Sequence, residues 1–226
     1  MLASFNRYAV YYAPPAGSDF ARAGAAWLGW DSAEGVPVPH PELGVDLARI
    51  TQTPRKYGLH GTLKPPMRLA VAPPTFLDAV ETLSHRLAPV DLGKLRLCPI
   101  GSFLAVMPEM QPPALETLAA RVLRGIDPFR EALTPAEIQR RRASGLTARQ
   151  DALLLEWGYP YVLEEFRFHV TLTGRLDTAQ MQDAFRAADA WFRPVLTARH
   201  RLADLVVCGE DDIGRFHQVR RFALTG

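Results

Sequence analysis

Two short runs carry an imidazole and a hydroxyl at the same spacing, His60-Gly61-Thr62-Leu63 and His169-Val170-Thr171-Leu172. In an extended chain residues two apart point the same way and lie roughly 6 to 7 Å apart. Each run would then show an imidazole with a hydroxyl beside it, about the span of a phosphate. Imidazole has a reference pKa of about 6.5, so both of its protonation states exist near neutrality. Two imidazoles flanking one phosphorus can divide an in-line displacement at a phosphodiester. One accepts a proton from the attacking water or hydroxyl, the other protonates the departing oxygen, and each transfer contributes about 10²- to 10⁴-fold. Thr62 and Thr171 would hold the non-bridging oxygens. That chemistry needs no metal and no cofactor.

Six histidines and thirteen threonines in 226 residues give about 0.35 His-x-Thr matches by chance. The setting adds more than the count. Phe166, Phe168, Val170 and Leu172 alternate with Arg167, His169, Thr171 and Thr173, the period of a half-buried strand. Leu59, Gly61 and Leu63 likewise alternate with His60, Thr62 and Lys64. The same face is offered twice, in separate halves of the chain.

The elements expected to hold these runs follow from pattern and punctuation. Strands are expected over Arg7 to Tyr12 and over Tyr57 to Lys64, the latter bounded by Pro54 and by Pro65-Pro66. Helices are expected from Ser18 to Trp30, with Ser18 or Asp19 as cap, from Thr75 to Leu87, and from Ala114 to Arg124. Lys94 to Pro99 and Ser102 to Met107 read as a hairpin turning at Gly101, and Gly35 to Pro41 as a loop. Thr134 to Trp157 is charged and helical, opened by Thr134-Pro135-Ala136-Glu137. A strand over Val162 to Thr173, a helix from Asp177 to Trp191, and strands over Leu202 to Cys208 and Arg215 to Leu224 complete the chain. Strand, helix, strand, strand occurs twice, which predicts an α+β domain of two related lobes over 1–226: lobe 1 about 1–130, a helical insertion about 131–160, and lobe 2 about 161–226.

Composition narrows the partners. Lys and Arg exceed Asp and Glu by two, too little for a nucleic-acid coat, so a small phosphorylated substrate is favoured over nucleic acid. Cys98 and Cys208 are the only cysteines, far apart, and form neither a zinc spacing nor a disulfide framework. Met1 to Tyr12 lacks a leader pattern, and no run approaches the roughly 18 apolar residues of a membrane span. A monomeric cytoplasmic protein is expected.

Other side chains are candidates for substrate binding. Lys64 and Arg167 share strand faces with the histidines, and Arg55 with Lys56 precedes the first run, suited to a second phosphate such as a 5-phosphate. Tyr11 and Tyr161, with Tyr8, offer rings for a sugar or base, although strand aromatics more often pack in cores. His40, His85, His200 and His217 have no ligand-like spacing, Glu210-Asp211-Asp212 is too short for a calcium loop, and no glycine-rich phosphate loop occurs. No metal site is expected.

The segments Arg7-Tyr8-Ala9-Val10-Tyr11-Tyr12-Ala13-Pro14-Pro15-Ala16-Gly17, Tyr57-Gly58-Leu59-His60-Gly61-Thr62-Leu63-Lys64, Trp157-Gly158-Tyr159-Pro160-Tyr161 and Phe166-Arg167-Phe168-His169-Val170-Thr171-Leu172-Thr173-Gly174 resemble the two-histidine (2H) phosphoesterase superfamily. More narrowly they look like its bacterial phosphonate-metabolism-associated branch. The resemblance implies a bilobed, pseudo-twofold α+β fold with two antiparallel sheets around a central cleft and helices outside. It also implies catalysis by His60, Thr62, His169 and Thr171 on a small cyclic phosphodiester, with a phosphoribosyl 1,2-cyclic phosphate as candidate substrate. Within the superfamily the alternative is RNA-end processing, as a 2′,3′-cyclic phosphodiesterase or 2′-5′ ligase, disfavoured by the near-neutral charge. A phosphate-binding module without turnover is the alternative of another class.

Overall fold

The computed structural model describes residues 5–226; Met1 to Ser4, the start of the segment read for a leader, lie outside it. Strand β1 (Arg7–Tyr12) is built from aromatic and β-branched residues that alternate in destination. Tyr8, Val10 and Tyr12 enter the main core, while Ala9, Tyr11 and Ala13 join a smaller cluster with Val206, Cys208 and Phe216 on the opposite face. That two-residue period is what makes β1 a central strand.

In chain order β1 is followed by α1 (Asp19–Leu28), β2 (Trp30–Asp31), β3 (Val36–Pro37), α2 (Leu47–Ile50), α3 (Gln52–Arg55), β4 (Gly61–Met67), α4 (Pro73–Ser84), β5 (Val90–Gly93), β6 (Leu95–Ile100), β7 (Phe103–Pro108) and α5 (Pro113–Ile126). Then come α6 (Pro135–Arg142), α7 (Ala148–Trp157), β8 (Val170–Thr171), α8 (Thr178–Leu196), β9 (His200–Leu202), β10 (Asp204–Glu210) and β11 (Phe216–Ala223). Seven strands form one sheet in the order β11-β10-β1-β4-β8-β7-β6, with every neighbouring pair antiparallel. The two sheets expected around a cleft are its two parts, β11-β10-β1-β4 and β8-β7-β6. They join where β4 meets β8 through the single pair Gly61↔Val170. Helices α1, α4, α5 and α8 bury their apolar faces in the main core, leaving the other face of the seam free for a site.

Of the two caps expected for the first helix Ser18 is the one used, and Thr134 opens its helix as expected, while Gly29 and Thr147 cap in addition. Ser18 accepts from the Ala21 amide at the start of α1, and Gly29 closes that helix in the left-handed region at φ 76°. Thr134 with Glu137, and Thr147 with Gln150, form capping boxes that open α6 and α7, so the segment expected to be helical is two short helices.

Three expectations are corrected. The strand expected over Tyr57 to Lys64 begins only at Gly61 and runs through Pro65 and Pro66 to Met67. Register shifts in its pairing with β1 accommodate two residues that have no N–H to donate. The strand expected over Val162 to Thr173 shrinks to Val170–Thr171. Leu163 adopts φ 54° and starts a 3₁₀ turn over Leu163–Glu165, and the Phe168 amide donates to the side chain of Gln111 at 2.8 Å rather than to a strand. The loop expected over Gly35 to Pro41 holds the two-residue strand β3, paired with β2.

Candidate active site

The seam between β4 and β8 fixes the geometry of both motifs. Directly opposed residues of an antiparallel pair project to the same side, and their neighbours project to the other. With Gly61 opposite Val170, the register continued by one residue sets His60 against Thr171 and Thr62 against His169. All four side chains therefore share one face. On the other face Val170 is buried, and a Cβ at residue 61 would lie 2.6 Å from the Phe168 ring, so Gly61 lets the two strands close.

Each imidazole is oriented in the same way. His60 Nδ1 donates to the Gly58 carbonyl at 3.0 Å, and His169 Nδ1 donates to the Arg167 carbonyl at 2.8 Å, in both cases two residues upstream. A carbonyl only accepts, so Nδ1 carries the proton and Nε2 is the unprotonated nitrogen of the neutral ring. Gly58 sits at φ 68°, where an added Cβ would meet the Ser32 hydroxyl at 2.5 Å, so glycine is required to aim its carbonyl at His60.

The surroundings of the two imidazoles differ. His60 lies against Tyr11, with ring centroids 4.1 Å apart, and Tyr57 flanks it at 5.4 Å. Burial pushes its pKa down to about 4; the Gly58 hydrogen bond opposes this shift and the nearby His169 charge adds to it. His169 faces an open cleft beside Phe103, 5.7 Å away. Its pKa is also lowered, chiefly by burial, against the Arg167 carbonyl bond and with a small contribution from the Arg167 charge. The cleft, about 600 Å³, is lined by Thr62, His169, Arg167, Phe103, Tyr159 and Tyr161 among others. Thr171 borders a neighbouring depression on the far side of Phe103.

Of the residues expected to bind substrate, Arg167 and Tyr161 line the cleft. Five others do not: Tyr8 lies in the main core, Lys56 lines an adjoining cleft, and Lys64, Arg55 and Tyr11 are held elsewhere. Lys64 is fully buried, with Nζ 2.5 Å from Asp127 Oδ1, because the 3₁₀ turn after α5 and the end of α7 cover that part of β4. Arg55 clamps backbone: it donates to the carbonyls of Leu28 at 2.8 Å and Ala48 at 2.7 Å and to the Thr51 hydroxyl at 3.0 Å, and it also contacts His40. Tyr11 is fully buried and serves as the wall behind His60. Sequence reasoning missed Tyr57, Phe103 and Tyr159; the aromatic neighbours of the motif segments were the available signal. Among the described residues no three His, Cys, Asp or Glu side chains are grouped to hold a metal, and no helix is long and apolar enough to cross a membrane.

Residues 62–217 match the family described as protein of unknown function (DUF1045). The chain is 36% identical over 204 residues to a ribose 1,5-bisphosphate phosphokinase PhnN of Janthinobacterium sp. (strain Marseille), covering 86% of the chain and 45% of that protein. It is 35% identical over 190 residues to the protein of the same name from Laribacter hongkongensis (strain HLHK9), covering 82% and 44%. The chain thus spans less than half the length of these curated relatives. Similar solved structures include E. coli LigT in apo form (TM-score 0.48, 14% identity) and LigT complexed with 3′-AMP (TM-score 0.47, 12% identity). Each match covers 99% of this chain and all of the other. Such distant likeness leaves the function to be argued from the side chains.

Proposed function

The chain belongs to the DUF1045 family, and from its site we propose a metal-independent phosphoesterase of the two-histidine type that hydrolyses a small cyclic phosphodiester. The observation that supports this is the Gly61↔Val170 pair, whose register continued by one residue sets His60, Thr62, His169 and Thr171 on one face, with each Nδ1 tied to a backbone carbonyl.

In the proposed reaction neutral His60 accepts a proton from water through Nε2 as the water oxygen bonds to phosphorus. Protonated His169 gives its Nε2 proton to the departing ester oxygen as that P–O bond breaks. The threonine hydroxyls donate to the non-bridging oxygens as charge develops there. Afterwards His60 holds the extra proton and His169 lacks one, and exchange with solvent restores the start. The assignment follows from burial: His60, enclosed by Tyr11 and Tyr57, is the more strongly held neutral, while His169 faces the open cleft.

A phosphoribosyl 1,2-cyclic phosphate remains the candidate substrate. Breaking its P–O2 bond leaves the phosphate on C1 and yields ribose 1,5-bisphosphate, the compound after which both relatives are named. That name, and the resemblance to the phosphonate-associated branch, support this choice.

The test is hydrolysis of a panel of ribose 1,2-cyclic and nucleoside 2′,3′-cyclic phosphates in EDTA by wild type, His60→Ala and His169→Ala. We expect turnover by wild type and losses of about 10²- to 10⁴-fold in kcat for each variant. Absence of turnover on every member would leave a binding module, and abolition by EDTA would overturn the metal-free mechanism.

A further inference from the structure

A second cleft, about 740 Å³, adjoins the first, and Pro65 and Tyr161 line both. It is rich in cations, but three of them are already neutralised. Arg7 pairs with Glu210 at 2.5 Å, Arg68 with Glu137 at 2.6 Å and Glu131 at 2.9 Å, and Arg130 with Asp127 at 2.8 Å. Lys56 and Arg141 also line this cleft, and each rests on an aromatic ring instead of a carboxylate.

Those two rings connect the clefts. Lys56 Nζ sits 4.8 Å from the centroid of Tyr57, whose ring is 5.4 Å from the His60 imidazole. The Arg141 guanidinium sits 5.0 Å from the centroid of Tyr159, which lines the His169 cleft. One aromatic ring therefore separates each cation from the catalytic face. A cation over a ring keeps its charge and leaves its N–H donors free to turn toward an anion. Arg141 comes from the last turn of α6, where the helix dipole favours a cation and not an anion, so any anion held there depends on the side chains.

We infer that this second cleft is an anion subsite, in which Lys56 and Arg141 take a phosphomonoester carried by the same small molecule whose cyclic phosphate lies between the histidines. The inference rests on the proposed function and narrows it to substrates bearing two phosphate groups. The second could be the 5-phosphate of a sugar or the 5′-phosphate of a nucleotide, since the shared chemistry is a dianion on a pentose.

The test compares kcat/KM for ribose 1,2-cyclic phosphate with and without a 5-phosphate, and for nucleoside 2′,3′-cyclic phosphates with and without a 5′-phosphate. Wild type, Lys56→Gln, Arg141→Gln and the double variant are compared, each shown to be folded by its melting curve. The wild-type preference for the doubly phosphorylated member should exceed about 100-fold in one of the two series, which identifies the source. The double variant should bring that ratio within about tenfold of unity. A wild-type ratio near one in both series, or a ratio the variants leave alone, overturns the subsite. In parallel, calorimetry with unreactive ribose 5-phosphate should show binding by wild type and at least tenfold weaker binding by the double variant. If nothing is hydrolysed but this binding difference holds, the catalytic reading fails and the subsite stands; equal binding sinks the subsite.

Discussion

The buried cluster beneath the helical segment makes a sharp prediction about which of its charges the fold cannot lose. Lys64 Nζ lies 2.5 Å from Asp127 Oδ1 and 3.5 Å from the Trp157 carbonyl, and Asp127 also accepts from Arg130 Nε at 2.8 Å and Nη2 at 3.2 Å. One carboxylate thus serves two cations. Burial alone would raise the Asp127 pKa, but the hydrogen bonds from Arg130 and Lys64 outweigh it and hold the carboxyl below its ordinary range. For Lys64 burial dominates and lowers the pKa in spite of Asp127.

Asp127→Asn removes the carboxylate that both cations share and leaves a fully buried ammonium uncompensated, at a cost of about 3 to 5 kcal/mol. Lys64→Met leaves Asp127 with Arg130 and fills the stem with a chain of similar length, at a cost below about 1.5 kcal/mol. For a chain of this size each kcal/mol is roughly 2 to 4 °C in melting temperature. The expected losses are therefore about 6 to 20 °C for Asp127→Asn and at most about 6 °C for Lys64→Met. Circular-dichroism melts at pH 7 measure both. Equal losses, or a larger loss in Lys64→Met, would refute the view that the carboxylate is the indispensable member.

Other outcomes follow from the same geometry. The His60 pKa is about 4 in the fold against about 6.5 unfolded, so the unfolded chain takes up a proton that the native site refuses as pH falls between those values. Stability should be lost across that window by at most about 3 kcal/mol and be fully present above it. Urea titrations of wild type at pH 7 and 4.5 should show the drop, and it should be smaller in His60→Ala, where the remainder comes from His169 and His200, whose pKa values burial also lowers. For the proposed reaction the acid limb of kcat/KM should fall well below pH 6.5, and a midpoint at or above that value would contradict the assignment of His60 as base. The buried Tyr11 hydroxyl has no hydrogen-bond partner among the described residues, so Tyr11→Phe should raise stability by about 1 to 2 kcal/mol with kcat/KM unchanged. A tenfold loss of activity would show that the hydroxyl, and not the ring alone, serves the site.

Much of this was legible in the chain because local rules governed it. The alternation in β1, the cap at Ser18, the hairpin at Gly101 and the Thr134 box depend on residues a few positions apart. The common face of each His-x-Thr run follows from strand parity, which holds even where β8 is only two residues long. Strand parity also set Lys64 beside the histidines, and there it misled: the residue that decides its fate is Asp127, 63 positions away. Arg55 was hidden for the same reason, since its partners are carbonyls exposed at the ends of α1 and α2. Lys56 stood out only as a neighbour of Arg55, and Arg141 not at all, because their common cleft exists only once α6 lies near Tyr57.

The single Gly61↔Val170 pair at the seam has one more consequence. Along the chain each histidine belongs with the threonine two residues later, but across the seam it faces the threonine of the other run, about 4.5 to 5.5 Å away between Cβ atoms. Energetic coupling should follow the shorter path. In double-mutant cycles on kcat/KM, His60 should be more strongly non-additive with Thr171 than with Thr62, and His169 with Thr62 than with Thr171. The repeat seen in the letters is then not the working unit. In the proposed reaction each unit is then a hybrid, half from either side of the seam, and a substitution in one run should disturb the chemistry of the other.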